Sequence, residues 1–311
     1  MENKNPYTVG NTITLQLDAP HNQAIEATIT KAFEPFTLSA AVVVYLDSPC
    51  LGLKGHMVLK LFDRRFATQL RLDEKAAPWC GDIERQYQQF VMDGGACKFI
   101  SRLNSDEEIA DEEMDAWDAA HIETSLHDQM RDFYDCEVGV YNALKDLQGK
   151  HIPQVFASVT VPVSSQDASI SKYIDVPGIL MDYIDGFPLS DIADNAPRGK
   201  WQVLCDEAIR IIHAISERGI LNEDVKTRSF IVQDVEGKDR VMMIDFALCK
   251  FRREYKDEEE WRKWKAKQDE EGAVGYVMQN RLKGGFVYTR SAMATQLDDD
   301  FMTEDYVYSC R

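Results

Sequence analysis

An acidic residue interrupts the apolar stripe of the most informative predicted helix, which runs from residue 122 to 148. The stripe is defined by apolar residues that recur at helical spacing, namely Leu126, Met130, Phe133, Tyr141, Leu144 and Leu147. Glu137 falls on this face, four residues after Phe133 and four before Tyr141. Burying a carboxylate is costly unless a cation meets it. The helix therefore predicts a buried ion pair, with the alternative that Glu137 lies at an element edge and reaches water.

A cation that can meet Glu137 occurs in an apolar strand of the first part of the chain. Lys60 falls within Met57–Phe62, a short run of mostly apolar residues. Short β-branched or apolar runs bounded by Pro, Gly or Asp-Ser-Pro predict strands, and the others of this half are 12–17, 27–31 and 41–46. The sequence thus predicts a strand-rich half that supplies Lys60, with the alternative that this amine also lies at an edge and reaches water.

Two further carboxylates frame the last predicted pair of strands. Asp224 precedes the strand at 229–232, and Asp245 follows the strand at 240–244. A Gly-containing turn between two apolar runs predicts a hairpin, which would bring both acids to the same edge of the sheet. Two converging acids suit a divalent cation and the proton of an attacking hydroxyl. The charged groups that carry this chemistry therefore occur in the order Lys, Glu, Asp, Asp.

This order resembles the protein-kinase-like superfamily, in which four such groups serve one nucleotide site. Val58–Lys60 looks like the strand-lysine motif, and Glu137 looks like its partner on the key helix of the small lobe. Leu180–Gly186 looks like the hinge, Asn222–Ser229 like the catalytic loop and Asp245–Ala247 like the metal-binding Asp-Phe-Gly.

The resemblance implies an α+β, two-lobed protein-kinase-like fold. Its N-lobe, 1–183, would hold an antiparallel β-sheet, the key helix 122–148 and an insertion at 67–121, which is either a cover over the site or a surface excursion. Its C-lobe, 184–311, would be reduced and mainly helical, because the part after the metal-binding motif is short and lacks Ala-Pro-Glu. A reduced lobe favours a small molecule or one dedicated protein as substrate. The charged segment Arg252–Glu271 is expected to form an exposed helix.

By this resemblance the cofactors are ATP and Mg²⁺, and the chemistry is phosphoryl transfer. Lys60 would hold the nucleotide phosphates, and Glu137 would orient Lys60. Asp245 would bind Mg²⁺, and Asp224 would take the proton of the acceptor hydroxyl. Transfer of AMP and a phosphate-assisted condensation are related chemistries that the same residues fit.

Other contacts to the nucleotide follow from the hinge and from the turn that corresponds to the Gly-rich loop. Backbone groups near Asp182 and Ile184 would meet the adenine, with Met181 behind it or simply packed in the core. The turn contains no Gly-x-Gly-x-x-Gly, and without glycine the backbone cannot approach phosphates as closely. We therefore expect side chains such as Thr37 and Ser39 to supply these contacts.

Three departures from the family pattern leave the activity open. Asn222 stands where the family has His, and Glu223 where it has Arg, so regulation by a phosphorylated activation loop is not expected. Ser229 replaces the second metal-ligand Asn, and its hydroxyl is a weaker Mg²⁺ ligand.

The stretch Val58–Phe66 is similar to kinase-like proteins that are abundant in fungi. The chain is interpreted as a phosphotransferase, with a pseudokinase that acts as a binding or regulatory module as the alternative, and an unrelated α+β fold as the remaining one.

Composition limits the partners of this protein. The 53 acidic residues outnumber the 35 Lys and Arg residues, which gives a formal net charge of -18. Such a charge repels phosphate backbones and anionic lipids, so we expect no nucleic acid or membrane partner. Much of the excess lies in the block 106–137, which is either a solvated face or a docking site for a basic partner.

The chain has seven scattered cysteines without Cys-x-x-Cys, and its start has no apolar signal core. We therefore expect reduced thiols and a cytoplasmic location.

Overall fold

The computed structural model describes most of the chain, namely residues 5–49, 51–103, 117–163 and 168–301. It divides the chain into two compact units. The first consists of residues 1–135 and 155–183, and the second of residues 136–154 and 184–311. Residues 136–154, which the sequence analysis places in the N-lobe, therefore lie with the second unit.

The first unit is built on a closed antiparallel barrel of six strands in the order β1-β2-β3-β4-β6-β5. The strands are β1 (Thr12–Leu17), β2 (Ala24–Ala32), β3 (Ala40–Ser48), β4 (Leu53–Leu61), β5 (Val155–Val161) and β6 (Val176–Asp182). Pairing of Gln16 with Thr160 joins the first strand to β5 and closes the barrel. The predicted antiparallel sheet is thus present, and it is closed rather than open.

Alternation of buried and exposed residues explains why these segments are strands. On β1 the side chains of Ile13, Leu15 and Leu17 are buried in the barrel core, while the residues between them face outward. The predicted strand 12–17 is confirmed. The strand β5 begins at Val155, two residues after Pro153, which has no amide hydrogen to donate to a ladder.

Helices complete the first unit, and one of them continues into the second. They are α1 (Thr68–Asp73), α2 (Gly81–Met92), α3 (Gly95–Leu103), α4 (Ala119–Ala143) and α5 (Ala168–Ile174).

The helix predicted over 122–148 is α4, and its predicted end is wrong by five residues. After Ala143 the chain tightens into turns, in which the amide of Leu147 donates to the carbonyl of Leu144.

Buried ion pairs fix the inserted helices within the first unit. Arg64 lies three residues after the end of β4. Its guanidinium donates to Glu84 of α2 at 2.8 Å and to Glu123 of α4 at 2.7 Å. Arg71 of α1 donates to the same Glu123 at 2.6 Å. The Arg64 guanidinium also lies 4.0 Å from the ring centroid of Tyr87. The described part of the insertion is therefore attached to the core of this unit by charges that have been removed from water.

The second unit combines short strands with helices. Its strands are β7 (Phe187–Pro188), β8 (Ile220–Asn222), β9 (Phe230–Val235), β10 (Lys238–Met243) and β11 (Cys249–Phe251). Its helices are α6 (Ile192–Asn195), α7 (Trp201–Ser216), α8 (Glu258–Gln268), α9 (Glu270–Leu282) and α10 (Ala292–Phe301), together with short 3-10 turns. One sheet has the order β10-β9-β7, and β11 pairs with β8 in another. The predicted hairpin is confirmed as β9–β10, with Phe230 opposite Met243.

The prediction of one exposed helix over Arg252–Glu271 is wrong. A 3-10 turn is followed by α8, whose start is capped by Asp257 through a 2.9 Å hydrogen bond from the amide of Glu260. The left-handed backbone of Asp269, with φ of +40°, then separates α8 from α9. Trp261 of α8 is buried, so this charged segment contributes to the core of the unit.

Two expectations from the composition meet the structure only in part. Of the acidic block 106–137, residues 106–116 lie outside the described residues, and the rest belongs mostly to α4. Among the helices that the structure describes, none has the length and apolar character that crossing a bilayer requires.

The buried ion pairs of the first unit make a stability prediction. Glu123→Gln removes the charge that faces both Arg64 and Arg71, and breaking a buried pair in this way costs about 3–5 kcal/mol. We expect a loss of this size in the free energy of unfolding measured with urea. Asp47→Asn removes the exposed pair between Asp47 and Lys54 on the neighbouring strands and serves as the matched control, with no measurable loss. Equal losses in the two variants would contradict the role of the buried network.

Candidate functional site

The side-chain amide of Asn222 connects the two segments that carry the predicted acids Asp224 and Asp245. Its Nδ2 donates to the carbonyl oxygen of Asp245 at 3.0 Å, and its Oδ1 accepts from the amide of Asp224 at 2.9 Å. Asn222 is buried, with 2% of its surface exposed. The second unit thus brings together the two acids that the sequence predicts at one sheet edge, and it does so through a residue that the sequence analysis regarded only as a departure from the family.

The backbone on both sides of this amide is held by main-chain hydrogen bonds. In the β8–β11 pair Asn222 lies opposite Cys249, and the amide of Ile244 donates to the carbonyl of Ser229 at 2.8 Å. Asp245 itself has a positive φ of +74°. A left-handed conformation is unfavourable for a residue with a Cβ, and such residues cluster at functional sites. The hydrogen bonds at Ile244 and Asp245 therefore hold Asp245 in this unfavourable conformation.

The carboxylate of Asp224 is accessible and faces a cation. Its Oδ1 contacts the Nζ of Lys226, and the Asp224 side chain retains 31% of its exposure. An acceptor hydroxyl could reach such a carboxylate, which is the first requirement for a general base.

A buried acid that the sequence analysis missed accepts a hydrogen bond from the backbone of Asn222. Oε1 of Glu270, the first residue of α9, accepts a hydrogen bond from the amide of Asn222 at 2.9 Å. Burial raises the pKa of Glu270 to about 7. The available signal was the apolar spacing of Val274, Met278 and Leu282, which indicates that a helix with a buried face begins near residue 270.

Glu137 is buried as predicted, and the alternative of an edge position is wrong. It is 1% exposed on the part of α4 that belongs to the second unit. The preceding residue, Cys136, contacts the carbonyl oxygens of Phe246 and Cys249 at 3.4 and 3.1 Å. Burial raises the pKa of the Cys249 thiol well above its usual value, and Glu137 and Asp245 raise it further. Both carboxylates therefore lie in the neighbourhood of Cys249.

Lys60 is buried in the first unit, so the alternative of a solvent-exposed edge position is wrong for it as well. It is 8% exposed and lies on β4 between Ala41 of β3 and Ile179 of β6. Its Nζ is 5.6 Å from the ring centroid of Phe62. The convergence of this amine with the three carboxylates of the second unit stays a prediction.

The predicted hinge lies where the chain leaves the first unit. Met181 is buried on β6 opposite Val58, so packing in the core accounts for its position. Asp182 follows it opposite Met57 and is half-buried. The first unit ends at Tyr183, and Ile184 begins the second unit. Contact of these backbone groups with adenine stays a prediction.

The turn between β2 and β3 carries Thr37 and Ser39 and is attached to α1. The side chain of Phe36 is buried, and its carbonyl oxygen accepts a hydrogen bond from the Thr68 hydroxyl. The carbonyl of Thr37 accepts from the amide of Gln69 at 3.0 Å. The Thr37 side chain is exposed, and that of Ser39 is half-buried. Both hydroxyls therefore lie on a turn that contains no glycine and that is held in place by hydrogen bonds from α1.

The oxygen donors near Asp245 fit a hard cation but do not complete its coordination. Carboxylate and hydroxyl oxygens of Asp245 and Ser229 are ligand types that Mg²⁺ accepts. Within the described ranges, however, no three His, Cys, Asp or Glu side chains form a group that could hold a metal ion. A Mg²⁺ ion at Asp245 would therefore draw further ligands from nucleotide phosphates and water.

Comparison with known proteins finds structural similarity only. No protein-family model matches the chain, and no curated protein sequence is similar to it. Among solved structures, the Mycobacterium tuberculosis PknI kinase domain is similar with a TM-score of 0.38 and 13% identity, over 91% of this chain and 86% of that one. A double mutant of that domain gives a TM-score of 0.35 and 14% identity over 71% of this chain, which spans 60% of the mutant's length. Similarity at this level assigns no function to this chain.

The bridging amide makes a prediction that can be measured without any ligand. Asn222→Ala removes two part-buried hydrogen bonds, one to the carbonyl of Asp245 and one from the amide of Asp224, and a hydrogen bond contributes about 0.5–1.5 kcal/mol. We expect this loss in the free energy of unfolding. Asn195→Ala is the matched control, because Asn195 is exposed and makes one local hydrogen bond, to the carbonyl of Asp191. If Asn222→Ala is as mild as Asn195→Ala, the amide does not hold the two segments.

Proposed function

We propose that this protein is a kinase-like phosphotransferase that uses ATP and Mg²⁺. The observation that carries the proposal is the Asn222 side chain, which joins the backbone of Asp224 to that of Asp245. A carboxylate that can receive a proton and a carboxylate that can bind a cation are thereby held on adjacent segments of one unit. The buried Lys60 and Glu137, which occur in the family's order, support the proposal.

Each of these residues takes one part in the proposed reaction. Lys60 contacts the nucleotide phosphates as a cation, and Glu137 orients its amine. Asp245, with the Ser229 hydroxyl, binds the metal ion, which supplies charge neutralisation for the phosphates. Asp224 orients the acceptor hydroxyl and takes its proton. Backbone groups of the hinge meet the adenine.

The proposed acceptor is a small molecule or one dedicated protein. Phosphorylation of many different peptides requires an extended platform after the metal-binding motif. In the described part of this chain that region consists of β11 and three helices, of which α8 and α9 contribute buried residues to the unit. A restricted acceptor is therefore favoured over general peptide phosphorylation.

A second candidate function, a binding module without transfer, is favoured by the β2–β3 turn. Phe36 is buried there, and the carbonyls of Phe36 and Thr37 already accept hydrogen bonds from α1. A turn fixed in this way, without glycine, has few backbone groups to offer to phosphates. Such a protein would bind a partner or a nucleotide without turnover.

Nucleotide binding is tested by thermal unfolding with ATP in the presence and absence of Mg²⁺. A ligand that binds the folded state raises Tm, by a few degrees at a concentration about 100 times its Kd. We expect a Mg²⁺-dependent increase that is lost in Lys60→Met and Asp245→Asn. Lys54→Met, on the same strand, and Asp299→Asn, on α10, are exposed controls that keep the increase. No shift at millimolar ATP would favour the binding module, and a shift that survives in both site variants would contradict the proposed site.

Transfer is tested separately by following ATP consumption in Asp224→Asn. Loss of a general base lowers the rate by roughly 100-fold or more, while binding of ATP is expected to persist because Asp224 does not contact the nucleotide. Asp299→Asn again serves as the control. Equal rates in wild type and Asp224→Asn would remove Asp224 from any catalytic role.

A further inference from the structure

Tyr7, in the segment that precedes β1, is a buried residue that has no part in the proposed reaction. It is 1% exposed and belongs to the core of the barrel. Its ring packs edge-on against Phe36 and Phe66, with 6.1 and 5.2 Å between ring centroids. Phe36 lies in the β2–β3 turn, and Phe66 follows β4, the strand that carries Lys60. One ring therefore packs against both the turn that carries the predicted phosphate contacts and the segment after the lysine strand.

The hydroxyl of Tyr7 binds a carboxylate that is itself fixed. It donates to Oδ2 of Asp63 at 2.6 Å, and Asp63 is buried. Arg65 donates to the same carboxylate from its backbone amide at 3.0 Å and from its guanidinium at 2.8 and 2.7 Å. Hydrogen bonds to an ionised acceptor are shorter and stronger than those between neutral groups. Tyr7 is therefore attached by a strong hydrogen bond to the segment after β4.

The protonation states of this pair preserve the hydrogen bond near neutral pH. Burial and the Asp63 carboxylate raise the pKa of Tyr7 well above its ordinary value. Burial also opposes ionisation of Asp63, but Arg65 and the Tyr7 hydroxyl outweigh burial and lower the pKa of Asp63. Tyr7 therefore keeps its proton as the donor, and Asp63 keeps its charge as the acceptor.

The residues on either side of Tyr7 connect the same segment to the β2–β3 turn and to β2. Nδ2 of Asn5 donates to Oε1 of Glu34 in the turn at 3.2 Å, and Oδ1 of Asn5 accepts from the amide of Tyr7 at 2.9 Å. The amide of Gly10 donates to a carbonyl of β2 at 2.9 Å. The segment 5–11 therefore contacts the turn through both a ring and a side-chain amide.

Helix α1 binds the same turn through its first residues. The Thr68 hydroxyl donates to the carbonyl of Phe36. The amide of Gln69 donates to the carbonyl of Thr37 at 3.0 Å. Because the turn contains no glycine, its backbone cannot rearrange around a ligand as freely as that of a glycine-rich loop. The hydroxyls of Thr37 and Ser39 can therefore meet phosphates only where the rest of the unit places them.

We propose that Tyr7 is a positioning residue that holds the β2–β3 turn against the segment after the lysine strand, so that Thr37 and Ser39 meet the nucleotide phosphates at a fixed place. A turn that is held before the ligand arrives loses less conformational entropy on binding. The proposal rests on the proposed function in taking a nucleotide as the ligand, whereas the hold on the turn does not require a ligand.

Amide hydrogen exchange at Gln69 tests this hold in the free protein. Gln69 is the second residue of α1, where an amide has no partner within the helix, so release of the turn from Thr37 exposes it to exchange. Tyr7→Phe keeps the ring and removes the hydroxyl, and a hydrogen bond to a charged group is strong enough to change an opening equilibrium roughly tenfold or more. At low urea concentrations, where exchange reports local opening, we expect an increase of this size at Gln69. Tyr45→Phe is the matched control, because Tyr45 is exposed on β3, and it should leave the exchange unchanged.

Two outcomes of this measurement would overturn the proposal. Local exchange at Gln69 that does not change in Tyr7→Phe, while the free energy of unfolding in urea falls, would show that Tyr7 stabilises the unit without holding the turn. Asn5→Ala removes the other link of the segment to the turn, at Glu34, and is expected to raise the same local exchange about twofold. If Tyr7→Phe does not fold, Asn5→Ala decides, and unchanged exchange in it would contradict the proposal.

Exchange at Gln69 with bound ligands separates this proposal from the proposed function. ATP with Mg²⁺, at about ten times its Kd, is expected to slow the local exchange roughly tenfold if it binds only the held turn. Adenosine has no phosphates and is expected to leave this exchange unchanged. If ATP binds without slowing the exchange, or if adenosine slows it equally, the turn does not meet phosphates and the proposal is wrong while the proposed function stands. If wild type binds no ATP, the proposed function fails, and the exchange in Tyr7→Phe alone decides whether Tyr7 holds the turn.

Discussion

One side-chain amide, that of Asn222, joins the backbone segments of the two acids on which the proposed chemistry depends. A carboxamide presents a donor and an acceptor in a single plane, so it can satisfy the carbonyl of Asp245 and the amide of Asp224 at the same time. An imidazole in its neutral form also offers one donor and one acceptor, but they lie on opposite sides of a ring. The carboxamide of Asn222 therefore joins both segments through a single side chain.

The features that could be predicted from the sequence are those that depend on local periodicity. The strand at 12–17 follows from alternation, and most of α4 follows from apolar residues at helical spacing. The burial of Glu137 and Lys60 follows because each lies among apolar neighbours at the spacing of its own element. These inferences need only the residues within a few turns or strand positions.

What the sequence did not disclose depends on partners far apart in the chain. Closure of the barrel requires Gln16 to pair with Thr160, and nothing in either segment specifies the other. Arg64 and Glu123 are also remote, and each alone resembles an ordinary surface charge. Glu270 was missed for a related reason, because a run of mixed charges normally indicates an exposed segment, whereas here Asp269 divides the run and both Glu270 and Glu271 after it are buried.

The ion pair between Lys226 and Asp224 limits how the proposed base can act. The ammonium of Lys226 contacts Oδ1 of Asp224, so one oxygen of this carboxylate is already engaged. In phosphoryl transfer the transition state is loose, and the acceptor hydroxyl loses its proton late. A base of this kind contributes mainly by orienting the hydroxyl, which requires a fixed backbone more than a high pKa. The hydrogen bonds of Asn222 to Asp224, Asp245 and Glu270 therefore matter directly to such a reaction, because they hold the backbone that carries Asp224.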